Sequence, residues 1–467
     1  MPQIYDTLSE QKKDIKKPRK GFLKMFVCGP TVYDEPHIGH AKTYIVFDCF
    51  SRYLQSRGYK LFYLQNVTDI DDKIINQAKK ENKPPKKIAD FYYHDYLKNM
   101  KLLGIKSVNK YAKATDYIKE IKNQINGLLK LEFAYKTSSG IYFEVKKFKD
   151  YGRLSKQDLD ELRPGYRIEP DPKKKDPLDF ALWKFQNKKE FGWPSPWGWG
   201  RPGWHIEDTA ITEKYFGPQY DIHGGGADLK FPHHEAEIAQ QETASGKKPF
   251  VEIWMHTGAL LVNGQKMSKS LKNFISIKDF LKKYSSDVLR MVISSHHYRS
   301  SLDYNEGMAL QAERSLKTIR EFLTKLSHVK NSHTVSIGES KNTIAPRIIN
   351  FIKGAGAEFE SALNDDFNTP QALATVFNLI NEINKAVWQL DKRTARETEK
   401  FIAKSLKIFG FQIKAPKIPG KIKQLIDKRE SLRRNEQFIP ADLLRKKIES
   451  LGYIVEDTPL GPMILMR

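Results

Sequence analysis

At 467 residues, with 40% apolar and 29% charged residues, the chain exceeds one ordinary core and reads as roughly two to four soluble domains. Lys plus Arg number 79 and Asp plus Glu 56, a net charge of +23 that points to a polyanionic partner such as nucleic acid, with a solvated lysine-rich surface as the alternative. The two cysteines exclude a disulfide framework, and no apolar stretch is long enough to span a bilayer, so a reducing, cytoplasmic setting without a membrane partner is expected.

Residues 22–28 (FLKMFVC) read as a buried strand that Gly29 and Pro30 break. A helix is predicted from about Ile38, with Val46, Phe47, Phe50, Tyr53 and Leu54 at helical spacing and Gly58 as its stop. Residues 61–66 (LFYLQN) read as the next strand. This βαβ unit predicts a parallel sheet with a right-handed crossover, and ligands in such sheets bind at the carboxyl ends of strands. Cys28, Thr68 and the segment His37-Ile38-Gly39-His40 fall at that edge. Cys49 lies inside the helix, where a small buried hydrophobe is its expected role.

From about 90 to 190 the pattern is lysine-rich and mixed, which reads as an insertion between two halves of the sheet. The stretch GWPSPWGWGRPGW at 192–204 excludes regular helix and central strand. Strand, loop and helix return with DIHGGG (221–226) and HHEAEIAQQ, and a further strand is predicted near EIWMHTG (252–258). Beyond about 276 the chain turns helical, with helices predicted over 285–296 and 307–328 and a polar linker over 330–343. Thr369-Pro370 predicts a helix start with Thr as N-cap, and the helix that follows places Leu373, Phe377, Ile380, Ile383 and Val387 on one stripe. The C-terminal end is a small basic unit with Arg433, Arg434, Arg445, Lys446 and Lys447.

His37 and His40 flank Gly39, a residue that lets a phosphate approach the backbone closely. At a helix N-terminus, imidazoles can donate to phosphoryl oxygens, although histidines merely satisfied at a helix start are the plainer meaning of the pair alone. Lys266-Met267-Ser268-Lys269-Ser270 sits in the polar loop GQKMSKSLKN (264–273), whose order is far rarer than a run of solvated lysines. Together, the two segments outline a site that activates a carboxylate with ATP. The carboxylate attacks the α-phosphorus, pyrophosphate leaves, and the charge that builds must meet donors held in place beforehand. Lys266 and Lys269 would supply flexible point charges. His233 and Glu237, at i and i+4, share a helix face and with Cys28 make a plausible zinc set. Plain surface pairs are commoner at that spacing, and the fourth ligand is the open position.

With these segments assembled, the chain resembles the cysteinyl-tRNA synthetases, a family of class I aminoacyl-tRNA synthetases, over nearly all its length. The resemblance rests on FVCGPTVYDEPHIGHAKTYIVFD (26–48), NVTDIDDKI (66–74), DPLDFALWK (176–184), GRPGWHIE (200–207), DIHGGGADLKFPHHEAEIAQ (221–240), KMSKS (266–270) and DDFNTP (365–370). It implies an α/β fold: a Rossmann-like parallel-sheet catalytic domain split by an insertion, then an α-helical bundle and a small C-terminal unit. In residues this gives 1–90 and 196–265 as catalytic halves, 91–195 as the insertion, 266–310 as lysine loop and stem-contact region, 311–412 as helical tRNA-binding domain and 413–467 as anticodon unit.

The implied activity joins L-cysteine to its tRNA in two steps, through a cysteinyl-adenylate and pyrophosphate, with ATP as substrate, magnesium, and one zinc ion. His37, Gly39 and His40 would contact the ATP phosphates, Lys269 would bind ATP with Lys266 in support, and Gly29, Thr68, Trp204 and His223 would line the amino-acid pocket. Cys28, His233 and Glu237 match zinc positions, and the zinc would hold the substrate thiol. Arg433, Arg434 and Phe438 would meet the anticodon, Phe438 by stacking. A monomer is the resemblance's expectation. Two departures stand out: Asp208 follows GWHIE where the family usually carries a zinc-binding cysteine, and Lys272 replaces a usual glycine. Aspartate is a legitimate zinc ligand, so Asp208 completes a Cys-Asp-His-Glu set that is harder and richer in oxygen. Two rival readings are a ligase that joins cysteine to a small amine and a tRNA binder that has lost catalysis. The C-terminal basic unit argues against the first, and the intact histidine and lysine pairs against the second.

Overall fold

The computed structural model describes residues 1–157, 171–269, 271–331, 341–413 and 418–466. Its central sheet has five strands: β1 (Leu23–Val27), β2 (Leu61–Val67), β3 (Lys110–Lys113), β4 (Tyr220–Gly226) and β5 (Val251–Thr257). They lie in the order β5-β4-β1-β2-β3, and every neighbouring pair is parallel. Met25, Phe26 and Val27 of β1 and most of β2 are buried, as expected for a sheet covered on both faces. The strand order reverses between β1 and β4, so the crevice at their carboxyl ends is where a ligand is expected.

Helix α1 (Ile38–Ser56) makes the crossover from β1 to β2 and buries Ile38, Ala41, Tyr44, Ile45, Phe47, Phe50, Tyr53 and Leu54. It ends at Arg57, followed by Gly58 at φ +79°, a left-handed position that favours glycine. β3 lies inside the 91–195 stretch read as the insertion, so the sheet runs on past residue 90. Its sequence KYAK hides it: a sheet-edge strand with lysine at both ends carries little apolar signal. After β3 the chain leaves the sheet for a helix (Ile118–Lys130) and a four-stranded antiparallel sheet built from Ala134–Lys136, Gly140–Phe143, Phe180–Phe185 and Gly200–Pro202. Gly200–Pro202, the end of the tryptophan-rich segment, takes the edge of that sheet, where proline is tolerated. The return to the central sheet passes through α2 (Ile206–Phe216), β4, α3 (Glu235–Ser245) and β5.

The chain forms two compact units. The first comprises Met1–Ser286, His296–Asn305 and the short return Asn364–Phe367; the second comprises Asp287–Ser295, Glu306–Leu363 and Asn368–Arg467. The second holds helices Glu306–Asn331, Lys341–Asn364, Thr369–Asn384 and Lys392–Phe409, then two shorter helices and the hairpin Tyr453–Thr458/Gly461–Met466. The linker expected over 330–343 falls mostly on 332–340, outside the described residues. The helix cap expected at Thr369 is instead Asn368, whose side chain accepts from Gln371 N, and Pro370 sits in the first turn. Leu373, Ile380, Ile383 and Val387 are buried as expected, while Phe377 is only half-buried and Val376 and Leu379 widen the buried stripe. No helix among the described residues is long and apolar enough to cross a membrane.

Candidate active site and metal centre

The imidazole pair is built into the start of α1. His37 is the N-cap: its Nδ1 accepts from Gly39 N at 3.1 Å, and His40 Nδ1 accepts from His37 N at 3.3 Å. The two rings stack with centroids 3.8 Å apart. A ring whose Nδ1 accepts keeps its neutral-form proton on Nε2, so these hydrogen bonds assign each imidazole as an Nε2 donor. Burial holds His37 down to about 4, with Lys266 adding to the effect, and burial followed by the neighbouring His37 holds His40 down to about 3. Both are neutral donors at physiological pH. Gly39 leaves no room for a side chain, since a Cβ there would lie 2.8 Å from His37 and 2.9 Å from Met267 Cε.

The lysine loop lies against this helix start. Lys266 Nζ is 3.0 Å from Asp228 Oδ2, and Lys269 Nζ is 2.7 Å from the Asp34 carboxylate. Both lysines are largely exposed, so these pairs hold the ammonium groups loosely. Asn273 closes the loop on itself, accepting from Ser268 N at 2.8 Å and donating to Lys266 O at 3.2 Å. Lys272, in the place where glycine was expected, has φ +53°, a left-handed conformation that costs a lysine about 1 kcal/mol. Ser270 lies outside the described residues.

Cys28, Asp208, His233 and Glu237 meet where β1, α2 and α3 converge, and all four are buried. Their candidate ligand atoms lie within 4.8 Å of one another. Cys28 Sγ donates to Asp208 Oδ2 at 3.3 Å; His233 Nε2 is 3.1 Å from the same oxygen and 3.2 Å from Glu237 Oε1. Neither oxygen of Glu237 has a hydrogen bond among the described residues. Burial, then Asp208, pushes the Cys28 thiol and the Glu237 carboxyl well above their ordinary ranges. A buried thiol and two buried carboxylates gathered around the His233 imidazole, with no lysine or arginine paired to them among the described residues, fit a divalent cation, which would supply positive charge there. The sequence left the fourth ligand open at first; Asp208 occupies that position in space.

Two histidines form a second set with the same thiol and carboxylate. His234 Nε2 is 3.1 Å and His223 Nε2 3.4 Å from Cys28 Sγ, and both belong to a Cys28-His223-His234-Glu237 grouping. His234 Nδ1 is 2.8 Å from His256 Nε2, and the Tyr220 hydroxyl shares a hydrogen bond of 2.6 Å with His223 Nδ1. Burial keeps His223, His234 and His256 below the usual imidazole range.

The expected pocket residues surround this cluster. Trp204, 38% exposed, stacks on the His233 ring at 4.2 Å. Thr68 is buried and donates to Glu207. Gly29 N donates to Asn66 Oδ1, and Asn66 Nδ2 donates to Asp208 Oδ1, both at 2.5 Å. A Cβ on Gly29 would fall 1.8 Å from the Asn66 carbonyl oxygen, so only glycine fits. Asn66, His234, His256 and Tyr220 were not singled out from the sequence. The HHE doublet and the histidine in WMHTG were visible signals; Asn66 and Tyr220 act through strand register, which no local pattern announces.

In the second unit, Arg433 Nη1 lies 3.3 Å from Asp457 Oδ2, Arg434 is exposed, and Phe438 opens a helix with 57% of its surface exposed.

The family model for the tRNA synthetases class I (C) catalytic domain matches residues 14–314, and the model for the DALR domain matches 358–414. The cysteine–tRNA ligase of Thermococcus gammatolerans is 42% identical, over 98% of this chain and 98% of its own length. The cysteine–tRNA ligase of Thermoplasma volcanium is 41% identical over 97% of each chain. Among solved structures, the methionyl-tRNA synthetase of Mycobacterium tuberculosis with methionyl-adenylate matches with a TM-score of 0.61, over 83% of this chain and 89% of that one. At 13% identity, it speaks for the fold alone. Fold and paired motifs thus define a class I aminoacyl-tRNA synthetase. Within that class the chain belongs to the cysteine–tRNA ligase family.

Proposed function

We propose that the chain activates L-cysteine with ATP and transfers it to the 3′ end of the tRNA for cysteine. The carboxylate of cysteine attacks the α-phosphorus, the bond to pyrophosphate breaks, and cysteinyl-adenylate forms; the terminal ribose hydroxyl of the tRNA then displaces AMP. The observation that carries this reading is the neutral, Nε2-donating pair His37 and His40 facing the lysine loop, beside a buried thiol–carboxylate–imidazole cluster at the strand-order reversal. His37 and His40 donate to phosphoryl oxygens as charge builds on them. Lys266 and Lys269 exchange Asp228 and Asp34 for the phosphates, with magnesium accompanying ATP. Gly29, Thr68, Trp204 and His223 shape the amino-acid pocket, and Arg433, Arg434 and Phe438 meet the tRNA anticodon.

Zinc would be held by Cys28, Asp208, His233 and Glu237. A zinc ion in that place supplies a preference for thiolate over alcohol, which shape alone cannot provide between cysteine and serine. Asn66 holds the far oxygen of Asp208, and Trp204 and His205 brace His233.

The test is amino-acid-dependent ATP–pyrophosphate exchange with cysteine and serine side by side, followed by charging of the tRNA. Exchange with cysteine alone is expected. Exchange with neither would overturn the reading, and exchange with both would remove zinc selection from it. Purified protein that is fully active without stoichiometric zinc would also remove the metal.

A further inference from the structure

Helix α1 grips both ends of the lysine loop. At its start, Ile38 N donates to Ile275 O at 3.1 Å, and Ile277 N donates to Pro36 O at 3.0 Å, which ties down the segment after the loop. One turn further along, Lys42 reaches the segment before it. Its side chain is buried, and Nζ donates to Ser300 O at 2.6 Å, Gly258 O at 2.7 Å and Ala259 O at 3.4 Å. The neighbouring Thr43 and Thr257 hydroxyls share a hydrogen bond of 2.9 Å.

Gly258 and Ala259 lead into the strand Leu260–Val262, which turns back on Gln265–Lys266 with Leu261 opposite Lys266. That hairpin carries Lys266 and leads into the loop that carries Lys269. The backbones cross so tightly here that a Cβ on Gly258 would lie 2.4 Å from Ser300 O. Three carbonyls converging on one point suit an ammonium, which carries three donors on a rotatable tip. No ion pair to Lys42 forms among the described residues, so the charge is buried against dipoles alone, an expensive choice if the only task were filling space.

We propose that Lys42 is a positioning residue for adenylate formation: it sets the distance between the His37–His40 donors and the hairpin and following loop that carry Lys266 and Lys269. This rests on the functional reading above. The loop's two anchors, at Ile38/Ile277 and at Lys42, then make α1 a gauge between the two halves of the phosphate site. Loosening the Lys42 anchor leaves cysteine and ATP their binding groups but misaligns donors that matter in the transition state.

The experiment measures cysteine-dependent ATP–pyrophosphate exchange for the wild type, Lys42→Met and Lys42→Gln, with circular dichroism to confirm folding. For Lys42→Met, kcat should fall about a hundredfold, with KM for cysteine and for ATP held within about threefold. Lys42→Gln keeps two donors for the carbonyls and should lose about tenfold in kcat, which serves the test if Lys42→Met does not fold. A folded variant with wild-type kcat, or a loss confined to KM, overturns the proposal. A wild type that exchanges with no amino acid overturns the functional reading and this one with it.

Discussion

In the proposed zinc set, Cys28 gives the single thiolate and Asp208 adds a second carboxylate beside Glu237. Carboxylate oxygen is a harder donor than sulfur, and zinc held by it should exchange more readily. In Asp208→Cys, zinc loss to a chelator should slow by about tenfold; in Asp208→Asn it should quicken, because one anionic donor is gone. Metal content against time, read by elemental analysis, checks both. Identical loss rates for all three proteins would place the metal on the His223–His234 set instead. A second prediction concerns His37 and His40, whose folded-state values lie near 4 and 3, below the ordinary imidazole value. Between about pH 6.5 and 4 the unfolded chain takes up protons that these rings refuse when folded. Stability linked to them is therefore complete above pH 6.5 and drains as pH falls. Replacing both with Asn should flatten the slope of the urea midpoint between pH 6.5 and 4; an unchanged slope would mean the rings protonate freely in the folded protein.

At the scale of elements, the contact between β4 and α1 leaves no room for a side chain on the strand. A Cβ on Gly224 would lie 2.2 Å from Phe47 Cζ. Gly224→Ala must push strand and helix apart, at a cost of about 1–3 kcal/mol in urea unfolding. Because β4 also carries His223 next to Gly224, exchange activity should drop with it. A stability loss without any activity loss would show that the Phe47 ring, rather than the strand or the helix backbone, gives way. The same element explains what could be read in advance. β1, α1 and β2 were legible because their apolar periodicity is strong and Gly58 punctuates the helix. The histidine and lysine motifs were legible because rare strings sit on readable scaffolds. β3 was not, since edge strands shed apolar residues. Lys42 was not, because a lysine in a helix looks solvated until the backbones that cross above it are known. Asn66 touches Gly29 and Asp208 only through the packing of β2 against β1 and α2.

At the scale of the whole molecule, the first unit contains a short piece of chain borrowed from far downstream. Asp366 accepts from Tyr5 N at 2.9 Å, from the Tyr298 hydroxyl at 2.6 Å and from Arg299 Nε at 2.7 Å. Phe367 packs against Phe50 of α1 with ring centroids 5.2 Å apart. The side chain of the neighbouring Asp365 pairs with the exposed Lys12. These adjacent aspartates should behave very differently. Asp366→Ala strands several partners and should cost about 3–5 kcal/mol, whereas Asp365→Ala should cost less than about 1 kcal/mol. Thermal unfolding of the two variants separates them, and equal shifts would show that Asp366 is not the clasp.

That clasp also orders events in time. A chain leaving the ribosome has its sheet strands and both the histidine and the lysine motifs well before residue 366 emerges. Until then Tyr298 and Arg299 lack their acceptor, and Phe50 lacks the aromatic ring that covers it. The nascent catalytic unit must wait, incompletely closed, through the synthesis of two long helices of its neighbour. Slowing translation between residues 306 and 364 would lengthen that wait, and with it the interval in which the growing chain is open to proteases and chaperones.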